Sequence, residues 1–449
     1  MKNKVSFLFA ALLFFAACNH QQNETAKFYS HNLIDFLNDN LNEAVIHDGF
    51  SPPVAGRIYA YANLAAYEAY HYNKPGKLKL AGILNEFDPQ YNYPSDKQFD
   101  RDFAMFTAFY KTAYVLVYRD FVIDSFIVSQ KGFFEKNLKK DVYANSEALG
   151  EAVANEIIRY SKTDKYYETR SYPLYQLSGK PGTWEPTPPM YGTAIEPYWG
   201  QIRPFLVPNI DSFKLPEHIP FDTTKGSEFY ELNETVYHAA MDAGEEGKNI
   251  AMHWDGDPMP PYRRVRRVVL TKRQLNPIGH WLAIGKTLNH LNEKTESEAV
   301  ETYMRVSFAT ADALIVCWKN KFEINLIRPH TYINRYIDKR WDPILATPLF
   351  PEYPSGHSCI AGSASGVLID IFDDPTPFVD SMQIEFGFPA RNFSSIAEAA
   401  DECAQSRVYG GVHFAPAVKE GVEIGKKVAA LQNVFSLAEN RTQEQRHRY

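Results

Sequence analysis

The chain has 449 residues and a formal net charge of −7, and 45% of its residues are hydrophobic. This length predicts two packed halves rather than one ordinary domain, and the hydrophobic content suffices for a large core. The sequence has no basic run that could follow a phosphodiester backbone, which argues against nucleic acid as a partner.

The first 18 residues have the composition of an export signal. Two lysines precede an apolar run at residues 7–17 that is too short to span a bilayer. The segment ends in Ala-Ala-Cys18, which resembles a lipobox, although Phe15 stands where leucine is usual. We therefore predict a lipoprotein-type signal peptide at residues 1–17 and an exported chain, anchored through a lipid on Cys18 in the bacterial cell envelope, in the periplasm or at the outer membrane. An ordinary secretory signal that is cut nearby is the alternative.

Beyond the signal, apolar residues recur at helical spacing, and the alternation typical of strands is nearly absent. Residues 173–222 hold much of the proline. A loop of that length in a compact protein is usually functional or wraps a surface. We predict helices at residues 27–46, 53–72, 98–118, 122–138, 144–162, 225–252, 275–292, 295–320, 355–373, 393–409 and 416–437.

These elements predict an all-α protein made of two packed helical bundles with long connecting loops. Residues 27–245 would form the N-terminal bundle together with the proline-rich loop. Residues 246–437 would form the C-terminal bundle, and the charged tail at residues 438–449 would lie outside both.

Three cysteines follow Cys18, and an exported protein can form disulfides without requiring them. Cys359 and Cys403 each lie close in sequence to one of the motifs described next, so a disulfide between them is one alternative. The other alternative is that these two residues and Cys317 are buried thiols.

Three short blocks in the C-terminal half carry residues suited to an oxyanion. Lys321 and Arg328 are seven residues apart, which would place both cations on one side of a helix that Pro329 ends. The block Pro-Ser-Gly-His357 precedes small and apolar residues and predicts a helix N-terminus with a hydroxyl and free N–H groups. In the third block, Arg407 lies six residues before His413. Each block alone has an ordinary structural interpretation, but together they could enclose a tetrahedral or trigonal oxyanion.

In this order and spacing, the three blocks resemble the signature of the type 2 acid phosphatase and vanadium haloperoxidase superfamily. Trp318, and Phe350 at the start of Phe-Pro-Glu-Tyr-Pro-Ser-Gly-His, are similar to residues of bacterial iodoperoxidases and fungal-type chloroperoxidases. The resemblance in motifs spans roughly residues 182–415. Algal bromoperoxidases carry a second histidine where this chain has Phe350, so the algal halide preference is not carried over.

The resemblance implies a vanadate cofactor and a role for each motif residue. His413 would bind vanadium, or would be the phosphate nucleophile in a phosphatase. His357 would be the acid–base group, and Lys321 would also polarise peroxide. Trp318 and Phe350 would line the halide side. The groups that hold the oxyanion would be Lys321, Arg328, Ser355, Gly356 and Arg407, with Asp255 pairing with Arg407. For His280 we expect a core or capping role, with support of the site's residues as the alternative.

Three functions follow as hypotheses. The first is a haloperoxidase that oxidises iodide or bromide with hydrogen peroxide to hypohalous acid, which would then halogenate small organic acceptors. The second is an acid phosphatase that hydrolyses a phosphomonoester or a lipid phosphate through a phosphohistidine. The third is a surface-anchored binding protein with an inactive site. We expect a membrane as a partner only through the lipid on Cys18.

Overall fold

The structure, a computed structural model, describes residues 32–94, 96–118, 121–188, 191–216, 218–256 and 274–435. The predicted signal peptide with Cys18 and the charged tail lie outside the described residues. The helices are α1 (Leu33–Asp48), α2 (Pro52–Tyr70), α3 (Arg101–Leu116), α4 (Phe121–Asn137), α5 (Lys140–Ser161), α6 (Tyr166–Arg170), α7 (Glu228–Asp242), α8 (Gly244–His253), α9 (Pro277–Leu291), α10 (Glu296–Ile324), α11 (Pro329–Tyr336), α12 (Gly356–Phe372), α13 (Ile396–Tyr409) and α14 (Ala415–Ala430). Short 3₁₀ turns lie at Trp199–Gln201, Ile210–Phe213 and Ile384–Phe386.

The prediction of an all-α protein is confirmed. Within the described ranges the strands are β1 (Phe378–Asp380) and β2 (Arg391–Phe393), an antiparallel pair. The helix predicted at residues 225–252 is two helices, because Gly244 at the junction has φ +61°, a left-handed conformation that interrupts a helix. None of the described helices combines the length and the apolar character needed to cross a membrane.

The long helix α10 organises the fold, because it packs against α2 on one side and against α12 on another. One continuous hydrophobic core includes Leu37 of α1, Tyr59 of α2, Phe308 of α10 and Ile360 of α12. Since α10 contacts helices from both predicted bundles, the division at residue 245 stays a prediction. Cys317 and Trp318, near the C-terminal end of α10, belong to this core.

Helices α12 and α14 approach each other unusually closely, and glycine permits the approach. A Cβ atom on Gly362 would lie 2.4 Å from the carbonyl oxygen of Val422, and one on Gly425 would lie 2.4 Å from that of Cys359. Real Cβ atoms do not approach backbone to such distances, so a larger residue at either position would push the helices apart. This contact places the start of α12 beside the segment that leads into α14.

The proline-rich segment at residues 173–222 is hydrogen-bonded to two loops of the C-terminal half. The N–H of Trp184 donates to the carbonyl of Asn325 at 2.9 Å. The N–H of Ile195 donates to the carbonyl of Leu349 at 2.9 Å. These bonds hold the loops that precede Arg328 and His357.

The disulfide considered between Cys359 and Cys403 is wrong, since the three described cysteines are buried and free. The thiol of Cys359 on α12 is hydrogen-bonded to that of Cys317 on α10, whereas Cys403 on α13 lies against Trp281. Cys359 and Cys403 therefore have different neighbours in the core, and the alternative of buried thiols is the one observed.

Candidate active site

Lys321 and Arg328 reach the same region by a different route from the one predicted. Helix α10 ends at Ile324, and Asn325 then adopts a left-handed conformation with φ +56°. The two cations therefore do not share a helix face. Arg328 instead is the residue before α11, whose first position is Pro329, a favourable place for proline.

Backbone carbonyls fix both cations in the core. The ammonium of Lys321 donates to the carbonyls of Pro351 and Glu352, each at 2.9 Å. The guanidinium of Arg328 donates to the carbonyls of Phe350 and Val412, each at 2.8 Å. Neither side chain has measurable exposure. Burial lowers the pKa of Lys321 to about 8, so the ammonium remains mostly protonated at neutral pH.

His413 is held as a neutral ring whose Nε2 is bare, meaning that this nitrogen carries no proton. Its Nδ1 lies 2.7 Å from Oε1 of Glu352, and an ionised carboxylate can only accept, so Nδ1 carries the proton when Glu352 is ionised. Its Nε2 lies 3.2 Å from Nη1 of Arg328, which donates to it. Burial, and then the positive charges of Arg328 and Lys321, lower the pKa of His413 well below its ordinary value. A neutral imidazole with a lone pair on Nε2 is the form that binds a metal.

Arg407 and His357 share one anchor, Asp255, on the segment after α8. The Nη1 of Arg407 lies 3.3 Å from Oδ1 of Asp255, so the predicted pairing is confirmed. The Nε2 of His357 donates to the backbone carbonyl of Asp255 at 2.7 Å. Burial and the charge of Arg407 lower the pKa of His357 well below its ordinary value. In the neutral ring the nitrogen that can accept a proton is therefore Nδ1.

Ser355 and Gly356 form the start of α12, as predicted. Ser355 caps the helix, and its Oγ accepts from the backbone N–H of Ser358 at 3.3 Å and from its hydroxyl at 2.9 Å. Because both bonds use Oγ as the acceptor, the hydroxyl proton of Ser355 can donate elsewhere. A Cβ on Gly356 would lie 3.3 Å from the ring of Trp318, so the absence of a side chain lets the helix start pack against that ring.

Trp318 and Phe350 form an aromatic wall beside the cations. Their ring centroids are 4.9 Å apart, and both side chains are buried. The ammonium of Lys321 lies 5.1 Å from the centroid of Phe350, and the guanidinium carbon of Arg328 lies 5.0 Å from it. The ring of Phe350 is thus a common contact of both cations.

The charges of this region suit an anion. Three buried cations, Lys321, Arg328 and Arg407, face two buried carboxylates, Asp255 and Glu352. Burial raises the pKa of both carboxyls, that of Glu352 to about 7. A carboxyl that is partly protonated neutralises less of the positive charge of the cations. The Nε and Nη2 atoms of Arg407 are buried without a hydrogen-bond partner among the described residues. An oxyanion that accepts from them would satisfy both, because buried donors without acceptors are costly.

The sequence reasoning missed Glu352. This residue is the glutamate of Phe-Pro-Glu-Tyr-Pro-Ser-Gly-His, and its side chain contacts His413 while its backbone carbonyl contacts Lys321. A signal was present, because Glu352 is the one acidic residue in a stretch that otherwise has no acidic or basic charge and that precedes a buried helix start. A charge in such a stretch needs a buried partner.

A second cluster of titratable groups is joined by hydrogen bonds to one carboxylate, that of Asp380. His253, His280 and Asp380 bring three ligand atoms within 4.8 Å of one another. Both imidazoles place Nε2 on the same oxygen of Asp380, at 2.9 and 2.7 Å. The amide of Gln383 donates to Nδ1 of His280 at 3.3 Å, so Nε2 of that ring carries a proton and has no lone pair for a metal. The cluster is a hydrogen-bonded support for the segment that leads to Asp255, and the core role expected for His280 is the one observed.

Comparisons with known proteins agree with this geometry. The family model for the VCPO second helical-bundle domain matches residues 301–442. The crystal structure of a bacterial vanadium-dependent iodoperoxidase is 34% identical, with a TM-score of 0.84, and the match covers 90% of this chain and 96% of that one. Holo-type and apo-type structures of bacterial vanadium-dependent chloroperoxidase are 18% and 17% identical, with TM-scores of 0.65 and 0.63. Each covers 88% of this chain, and 93% and 94% of those chains respectively, and at this identity they show a shared fold. No curated protein matches the chain.

Proposed function

The chain belongs to the vanadium-dependent haloperoxidases, and we propose that iodide is the halide that it oxidises with hydrogen peroxide. The overall reaction is H₂O₂ + I⁻ + H⁺ → HOI + H₂O, so the site has to move protons as well as bind an anion. The observation that carries the choice of iodide is the likeness to the bacterial iodoperoxidase over nearly the whole length of both chains. Bromide is the alternative halide.

The cofactor is vanadate, which supplies a Lewis acid that activates peroxide toward halide without a redox change at the metal. We propose that the bare Nε2 of His413 binds vanadium. The unpartnered Nε and Nη2 of Arg407 and the free hydroxyl proton of Ser355 fit vanadate oxygens. The full set proposed to hold those oxygens is Lys321, Arg328, Ser355, the N–H of Gly356, and Arg407.

His357 and Lys321 would handle the protons and the charge. The bond from Nε2 of His357 to the carbonyl of Asp255 leaves Nδ1 to take a proton from hydrogen peroxide and to return it to the departing oxygen. The ammonium of Lys321, fixed by two carbonyls, would polarise the peroxide oxygen that the halide attacks. Both groups are already oriented by the fold, so little reorganisation is needed during the reaction.

The aromatic wall of Trp318 and Phe350 favours a weakly hydrated halide. An anion that approaches these buried rings loses part of its water, and this cost is smallest for the large iodide ion. The nearby charges of Lys321 and Arg328 would offset the remaining cost. We therefore propose that the halide approaches along this wall, and that hypoiodous acid then reacts with small organic acceptors without a dedicated binding site for them.

Orthovanadate, iodide and hydrogen peroxide added together to the purified vanadate-free protein are expected to produce triiodide, measured by its absorbance. Inorganic phosphate should suppress the signal, because phosphate has the same tetrahedral shape and competes for the cationic site. Bromide in place of iodide tests the preference. Hydrolysis of p-nitrophenyl phosphate that vanadate inhibits, with no triiodide, would instead support a phosphatase.

We also propose that the enzyme acts in the bacterial cell envelope, tethered by a lipid on Cys18. The support comes from the sequence alone: two lysines, a short apolar run and Ala-Ala-Cys18. In cells that produce the full chain, Cys18→Ser is expected to abolish incorporation of labelled palmitate and to leave the enzyme activity of the folded protein intact. Labelling that persists in this variant would contradict the anchor.

A further inference from the structure

We propose that Glu352 is a positioning residue, which holds His413 in the tautomer and orientation that present a bare Nε2 to vanadium. The inference rests on the proposed function, because it assigns a role toward the vanadate site. Glu352 would not touch vanadate itself and would act through the imidazole. It adds a second carboxylate to a region in which Asp255 already pairs with Arg407.

The first observation is the geometry around one carboxylate oxygen. Oε1 of Glu352 accepts from Nδ1 of His413 at 2.7 Å and from the backbone N–H of Phe414 at 2.9 Å. The second bond fixes the carboxylate relative to the main chain that carries His413. The acceptor is therefore rigid with respect to the ring, so the direction of the Nδ1–H bond determines where Nε2 points.

The second observation concerns the other end of the same residue. The backbone carbonyl of Glu352 accepts from the ammonium of Lys321 at 2.9 Å, and its N–H donates to the carbonyl of Leu326 at 3.0 Å. The backbone of Glu352 is thereby tied to α10 and to the segment before Arg328. A single residue connects the imidazole proposed to bind the metal with a cation proposed to bind its oxygens.

The third observation is that burial of this carboxylate lowers the stability of the fold. Oε2 of Glu352 is buried and has no hydrogen-bond partner among the described residues. Leaving a buried carboxylate oxygen without a hydrogen bond costs stability, and the charges of Arg328 and Lys321 offset this only in part, since burial still raises the pKa of Glu352 to about 7. Proteins break such local rules mainly at functional sites. The arrangement is therefore better explained by its effect on His413 than by a contribution to stability.

This role predicts that vanadate affinity depends on a hydrogen-bond acceptor in the side chain at position 352. Glu352→Gln keeps an oxygen that can accept from Nδ1 of His413, whereas Glu352→Met fills a similar volume without a comparable acceptor. Loss of the partner of a metal-bound histidine typically weakens metal affinity about 10- to 100-fold. We expect a loss of that size for vanadate in E352M and a loss of less than about threefold in E352Q.

The test uses isothermal titration of orthovanadate into the vanadate-free protein, for the wild type and both variants, after circular dichroism has shown that each is folded. Glu68→Met is the matched control, because Glu68 is also a carboxyl whose pKa burial raises to about 7, and it is bonded to Tyr91 rather than to the site. Its vanadate affinity should equal that of the wild type.

Histidine-selective ¹⁵N NMR of the vanadate-free proteins gives a readout independent of the cofactor, with His413→Gln used for assignment. The wild type and E352Q should show Nδ1 of His413 protonated and Nε2 bare, and E352M should lose this pattern. Equal loss of vanadate affinity in E352Q and E352M, or no loss in either, would overturn the proposal, as would a wild-type ring protonated on Nε2. Failure of the wild type to bind vanadate, with the NMR pattern intact, would count against the proposed function and not against the tautomer.

Discussion

Alanine in place of His413 is expected to abolish vanadate binding and, with it, halide oxidation. The imidazole supplies the lone pair that is proposed to bind the metal, and burial and neighbouring cations keep the ring neutral. The remaining groups offer hydrogen bonds and charge to the oxygens but no bond to the metal. The affinity should fall by more than about 100-fold, beyond the range typical for losing only the partner of a metal-bound histidine.

Vanadate titration and triiodide formation measure the two effects of His413→Ala separately. His330→Ala is a matched control, since His330 is also buried but its Nδ1 bonds to Thr347 at 3.2 Å and it has no place in the proposed site. That variant should retain vanadate binding. Full activity in His413→Ala would remove the residue from its assigned role as the metal ligand.

The second large effect is expected for His357→Ala, which should lower the turnover number roughly 10²- to 10⁴-fold, the usual contribution of a positioned acid–base group. Vanadate affinity should change by less than about tenfold, because the ring lies at the first turn of α12 and is bonded to the carbonyl of Asp255 rather than to the metal-binding imidazole. This variant should thus lose most of its turnover and keep most of its vanadate affinity.

The pH profile tests the same assignment. Burial and the charge of Arg407 lower the pKa of His357 well below its ordinary value of 6.5, so the neutral, proton-accepting ring persists at pH 6.5 and above. A rate that depends on this ring should therefore be lost only as the pH falls through the lowered pKa. The wild type should show that acidic decline in turnover and His357→Ala should lack it. If His357→Ala instead lost vanadate binding, while the molecules that still held vanadate turned over at the wild-type rate, His357 would not be the acid–base group.

Much of the site could be predicted because each block is short and local. A helix start at Ser355 and a proline after Arg328 follow from backbone chemistry that neighbouring residues determine. The resemblance to a known family then indicated which distant blocks meet. The argument that Lys321 and Arg328 share a helix face was wrong in detail, because the chain leaves the helix at Asn325 and reaches the same site through a loop.

Most hydrogen-bond partners of these residues could not be predicted from the sequence. The contact between Glu352 and His413 joins positions 61 residues apart, and that between Asp255 and Arg407 joins positions 152 apart. The second was anticipated only through the family resemblance, and the first was missed. The disulfide considered between Cys359 and Cys403 failed for the same reason, because proximity to motifs in sequence does not determine which thiols face each other.

The sequence by itself determined the helical class, the start of α12 and the chemical types gathered for an oxyanion, since spacing, capping and charge are local properties of the chain. Only the tertiary structure decided which nitrogen of His413 is bare, which nitrogen of His357 can take a proton, and how far burial shifts the pKa of Lys321 and Glu352. These depend on the partner and the solvent that each group meets after folding. Both come from packing between segments that lie far apart in the chain.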